Sequence, residues 1–293
     1  MQNYLRAIGF STIKSLHQLD RIHKDIQRNP DRRNLVSRSL QTSLVQLEKT
    51  YAPEGLGIMM IGESDAEGHF LFEYSFPYVL PGPYPYTDEI QIEKQNDRSG
   101  YYGLIDNINL SVIFTVQNLS HITGSIWRDS LPSMLSLQLS GLSLGANILL
   151  PLRKTEQDLQ YEAEKRRENL SRIHLVRHGH PEILDQMMMS EMDTRDTIDH
   201  RIATEDVLSI VDSSMIPSGL QSDVYDILGT ILQVQETKNS MTGEQICIMD
   251  VACLYYVIRI AVNRRDLVGE PVAGRRFRGI TWLQGLISLD RYN

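Results

Sequence analysis

The sequence predicts an α+β fold: N-terminal helices on an antiparallel sheet, a charged helical connector, and a C-terminal small β-barrel of OB or SH3-like type. Three observations predict it. Apolar residues open the chain at helical spacing, and from Gly55 the period changes to that of strands. The segment near 155–172 is dense in charge, as a solvated helix is. The closing stretch Gly269-Glu270-Pro271-Val272-Ala273-Gly274-Arg275-Arg276-Phe277-Arg278-Gly279-Ile280-Thr281-Trp282-Leu283-Gln284-Gly285 sets four glycines among aromatic, β-branched and charged residues. That pattern suits a tightly turned barrel, where glycine serves bulges and close backbone approaches. The expected domains are 1–154, 155–205 and 206–293.

A chain of 293 residues, 41% of them hydrophobic, has material for two cores. The net charge of −8 divides as −1, −5 and −2 over the three segments. No segment is basic, so nothing in the bulk charge attracts nucleic acid or an anionic membrane. Cys247 and Cys253 are the only cysteines, too few for a disulfide framework. No apolar run is long enough to span a bilayer, and the start lacks the charged flank and apolar core of a signal peptide. A cytoplasmic protein without membrane attachment is expected.

Ser11 is read as the N-cap of a first helix with Ile13, Leu16, Leu19 and Ile22 on one stripe, ended by Asn29-Pro30. Leu35, Leu40, Leu44 and Leu47 predict a second helix over 35–47. His17 and His23 are read as surface or boundary residues, with no third ligand type nearby. Runs at 57–62 and 69–76, separated by Ser64-Asp65-Ala66-Glu67-Gly68, predict two strands and a turn. The loop bearing Pro77, Pro81, Pro83 and Pro85 with Tyr84 and Tyr86 is read as a rigid connection. Strands follow at 89–94 and 110–116, then a hairpin of 135–140 with 146–152 around Gly141 and Gly145. In the C-terminal segment, strands are expected at 207–211, 227–234 and across 245–262, the last run bending near 250–253 because it is too long for one strand.

No metal or cofactor motif is present: no CxxC, HExxH, GxGxxG after a strand, GxxxxGK[ST] or GxSxG. No cofactor is expected and no catalytic constellation stands out. One basic and aromatic cluster does: Arg275, Arg276 and Arg278 around Phe277, with Trp282, and with Tyr255, Tyr256 and Tyr292 as further rings. Barrels of the OB type bind single-stranded nucleic acid with such groups. Arg275, Arg276, Arg278 and Tyr255 are therefore the candidate binding surface, and Trp282 is read as core.

Leu175-Val176-Arg177-His178-Gly179 is similar to the Arg-His-Gly signature of the histidine phosphatase superfamily. That resemblance implies His178 as a phosphorylated nucleophile and Arg177 as a phosphate clamp. The match covers three residues, follows a charged helix rather than an opening strand, and has only His180 and His200 downstream. Arg177 and His178 also suit a helix C-terminus. A wider resemblance is carried by Leu5-Arg6-Ala7-Ile8-Gly9-Phe10, by Glu205-Asp206-Val207-Leu208-Ser209-Ile210-Val211-Asp212, and by Gly269-Glu270-Pro271, Gly274-Arg275-Arg276-Phe277 and Trp282-Leu283-Gln284-Gly285. Together these resemble an uncharacterised family, a domain of unknown function, of anaerobic Gram-positive bacteria. The resemblance implies no activity, ligand or catalytic residue.

The expectation is a non-enzymatic binding or regulatory module acting on an unknown protein partner. Single-stranded nucleic-acid binding through the C-terminal barrel is the alternative, and a histidine-phosphatase-like enzyme a remote one.

Overall fold

The computed structural model describes residues 2–37, 42–65, 67–94, 100–107, 110–127, 132, 134–152, 211–219 and 221–289. Residues 1–149 and 213–293 make one compact unit, and 150–212 make a second. The expected connector 155–205, with Arg177, His178 and the Met187-Met188-Met189 run, lies outside the described residues.

A 3-10 turn, Gln2–Ile8, leads into helix α1, Leu16–Arg28. The helix forms because Ser15 caps it: the Ser15 side chain accepts from Gln18 N while the Gln18 side chain accepts from Ser15 N. This reciprocal box satisfies two amides that the helix itself cannot. The cap is thus Ser15, four residues after the expected Ser11. Leu19, Ile22 and Ile26 form the buried stripe, and Asn29 ends the helix just before Pro30.

The predicted helix over 35–47 is instead two strands, β1 (Arg32–Ser37) and β2 (Ser43–Ala52). With β3 (Leu56–Ser64) and β4 (Phe70–Val79) they make an antiparallel sheet of four, in chain order. The leucine spacing misleads because β2 is an inner strand. Val45, Gln46, Leu47 and Glu48 are all buried, so a strand covered on both faces shows no alternation. The turn at 64–68 is as expected, with Asp65 Oδ1 accepting from Glu67 N and His69 N.

The second sheet has ten strands: β5 (Tyr86–Lys94), β6 (Tyr101–Asn107), β7 (Leu110–Val116), β8 (Met134–Leu149), β9 (Ser214–Pro217), β10 (Val224–Lys238), β11 (Gln245–Cys253), β12 (Tyr256–Asn263), β13 (Leu267–Val268) and β14 (Arg276–Ser288). Helix α2, Leu119–Trp127, lies between β7 and β8 and packs on β1 and β2. Its central feature is the β8–β14 antiparallel ribbon, paired from Arg276↔Leu149 to Ser288↔Ser136. The outer edge of β8 pairs with β5 at Leu135–Leu137 level and then with β12 from Leu139 to Ser143. The outer edge of β14 pairs with β10 from Arg276 to Trp282 and then with β7 at Gln284 and Gly285. Two closed circuits result. One runs β8–β12–β11–β10–β14, the other β8–β5–β6–β7–β14, and the two share the ribbon.

Three expectations are corrected here. The α+β class is overturned, because strands dominate the described residues and form two sheets rather than a helix-covered sheet beside a separate barrel. The hairpin around Gly141 and Gly145 is one continuous strand. Gly141 marks a close approach and not a turn: a Cβ there would stand 2.4 Å from Thr281 Cγ2. The C-terminal ring contains β8, so strands 224–288 do not close on themselves. The bend in 245–262 is the Leu254-Tyr255 turn between β11 and β12, with Leu254 at φ 52°.

A buried glutamine seam joins the two sheets. Gln117 Nε2 donates to Gln284 Oε1 at 2.8 Å and to Val79 O at 2.9 Å, and Gln284 Nε2 donates to Pro77 O at 2.8 Å. Gln46 Nε2 donates to Gln117 O, while Gln46 Oε1 accepts from Ser120 N. The Pro/Tyr loop is anchored as a rigid connection should be. Tyr86 Oη accepts from Val257 N, Gln138 Nε2 donates to Gly82 O, and the Tyr86 and Tyr256 rings meet edge to face.

Candidate functional site

The candidate site lies between α1 and β4. Phe72 and Ser75 are three residues apart on β4, and strict alternation would send them to opposite faces. The register between β3 and β4 shifts at this point: Gly62 faces Phe72 and Ile61 faces Tyr74, so Glu73 is an extra residue. Such a bulge re-aims the side chains beyond it. Phe72 and Ser75 consequently both meet His23 of α1. Ser75 Oγ and His23 Nε2 share a hydrogen bond of 2.7 Å, and the Phe72 and His23 ring centroids are 5.0 Å apart.

These three side chains line a groove of about 360 Å³ together with Leu5, Leu19 and Ile58 on its apolar walls. Leu16 and Phe72, 73% and 45% exposed, stand on its rim. Burial lowers the His23 pKa below its ordinary value, against an opposing pull from Asp20. His23 is therefore neutral at pH 7. Asp20, also on the lining, is held by Lys24 Nζ at 2.7 Å. A second cleft of about 440 Å³ shares Leu5 and Leu19 and adds Arg6, Lys14 and Ser15, the capping residue of α1. Its Arg6 is committed to an ion pair with Asp266.

The sequence-predicted surface is not brought together as an exposed face. Arg275 Nη1 donates to Glu270 O at 2.9 Å. Arg276 is buried, at 6% exposure. Arg278 reaches Asp226 Oδ2 at 3.4 Å. Tyr255 is half-buried against the core in the β11–β12 turn. Phe277 is fully buried, and Trp282 is core, its Nε1 donating to Asp223 Oδ2 at 2.6 Å. A barrel that stacks bases needs its rings outside, next to its cations.

Asp65, Glu67 and His69 bring three ligand-type atoms within 4.8 Å of one another at the β3–β4 turn. The Asp65 carboxylate already serves the turn. Its pKa is held low, first by the hydrogen bond from the His69 backbone. Cys247 and Cys253 are buried, and burial pushes both thiols up to about 12. No helix among the described residues is long and apolar enough to cross a membrane.

Sequence reasoning read His23 as a surface or boundary residue and could not pair it with Ser75. The signal was faint: a histidine beside the Leu19, Ile22 and Ile26 stripe. Its partner depends on a bulge with no sequence mark of its own.

Fold and groove together define a β-rich protein of two strand circuits on a shared ribbon, with an apolar groove where its first helix meets an edge strand. Residues 5–285 match the family model described as "Domain of unknown function, E. rectale Gene description (DUF3881)". The chain belongs to this family, named after an anaerobic Gram-positive bacterium. Neither the curated proteins nor the solved structures gave a match.

Proposed function

We propose that this chain is a non-enzymatic binding protein that holds a small, largely apolar molecule in the groove between α1 and β4. One observation carries the reading: a concave apolar lining around a single polar pair, His23 and Ser75. Small-molecule sites have this make-up and occupy about 300–1,000 Å³. A Ser–His hydrolase is less well supported. Among the described residues, no carboxylate is hydrogen-bonded to His23 to orient it as the third member of a catalytic set. Two free, buried cysteines fit a reducing, cytoplasmic setting.

The test is titration of the full chain with the neutral fluorescent probe N-phenyl-1-naphthylamine. Saturable binding at one site is expected, weakened at least tenfold by Leu16→Asp. Leu16 is exposed on the rim, so this change leaves the core intact. Unsaturable binding, or binding indifferent to Leu16→Asp, would overturn the reading.

A protein partner is the second reading, favoured by Leu71, 56% exposed on β4 at the end of the four-stranded sheet. Edge strands with outward apolar residues accept an added strand. A partner that co-purifies with the full chain, is identified by mass spectrometry and is lost on Leu71→Glu is the expected result. An unchanged set of co-purifying proteins would refute it.

A further inference from the structure

We infer that the groove selects an uncharged aryl alcohol: a flat apolar body carrying one hydroxyl that meets the His23–Ser75 pair. The inference rests on the groove reading above and names the class of its occupant. The shape of the body follows from the walls. Leu5, Leu19 and Ile58 are aliphatic, and the Phe72 ring is tilted 39° to the His23 ring, which leaves aromatic faces for a planar molecule. The polar end follows from hydrogen-bond counting. One hydrogen lies between Ser75 Oγ and His23 Nε2, and the serine hydroxyl keeps further capacity. With Nε2 as acceptor, Ser75 accepts from the ligand; with Nε2 as donor, Ser75 donates to it. A ligand hydroxyl does both, so it is satisfied in either tautomer.

The charge of the ligand follows from the lining. Its one charged side chain is the Asp20 carboxylate, which repels an anion. A cationic end would have to displace Lys24, which holds Asp20 at 2.7 Å. The groups around His23 are Asp20 on α1, Phe72 and Ser75 on β4, Leu5 of the N-terminal turn and Ile58 on β3. Among the described lining none but Asp20 is charged, and Asp20 is already paired with Lys24, so a protonated His23 would put a poorly compensated cation against the apolar body. Affinity is therefore level above the His23 pKa and declines below it.

The experiment measures binding of 2-naphthol, naphthalene and 2-naphthoate to the full chain at pH 7.5 by equilibrium dialysis. 2-Naphthol is expected to bind up to about tenfold more tightly than naphthalene, the worth of one hydrogen bond, with 2-naphthoate weakest. Ser75→Ala should remove the preference for the hydroxyl and leave naphthalene binding unchanged. His23→Gln, which keeps a neutral hydrogen-bonding group, should keep the preference and abolish the loss of affinity at acid pH. Equal binding of naphthol and naphthalene, or tightest binding of naphthoate, overturns the ligand class while the groove stands. If none of the three binds, the groove reading fails and the inference with it.

Discussion

His23 is where one residue decides the chemistry. An imidazole packed against Phe72 in the wall of the groove loses water that would solvate its charged form, and this outweighs the pull of Asp20. The sign of the consequence is definite. The folded-state pKa lies below the unfolded value of about 6.5. The stability that neutral His23 contributes is complete above that value, and it declines as pH falls from there through the folded-state pKa. An NMR titration should place the midpoint of the His23 ring protons below the ordinary histidine value of about 6.5. Urea midpoints should drop between pH 6.5 and 5 more steeply in the parent than in His23→Gln. A midpoint at or above about 6.5 would refute the depressed pKa.

At the level of elements, two devices set the geometry. The bulge at Glu73 turns Ser75 to the same side as Phe72 and so assembles the groove. The second is the seat of Phe114 inside the β8–β5–β6–β7–β14 circuit. A Cβ at Gly103 or Gly285 would stand 2.1 or 2.4 Å from its ring, so these glycines make room for a fully buried aromatic. Gly285→Ala should cost about 1–3 kcal/mol by overpacking, and Phe114→Leu in the same chain should recover part of that loss. Urea unfolding measures both. Unchanged stability in Gly285→Ala would show that the ring is not tightly seated.

For the whole molecule, the shared ribbon is the decisive feature. Both circuits use β8 and β14, and the glutamine seam ties them to the first sheet through Val79 and Pro77. Losing any of these strands opens a ring and exposes unpaired backbone. A fragment of residues 206–293 lacks β8 and should fail to fold, with collapsed amide dispersion in its NMR spectrum. A well-dispersed spectrum would show that the C-terminal strands close without β8.

Sequence alone determined the local elements whose signals are local. Leu19 and Ile22 on the α1 stripe, the stop at Asn29-Pro30, the turn at Asp65 and most strands are legible because spacing and turn residues act within a few positions. The family resemblance was legible too. Tertiary structure decided the rest. Burial on both faces made a strand of the leucine-spaced β2, close packing rather than turning used Gly141, and long-range pairing of 134–149 with 276–288 set the architecture. The groove belongs to this second group: His23 and Ser75 are 52 residues apart, and only the packing of α1 on a bulged edge strand brings them within a hydrogen bond.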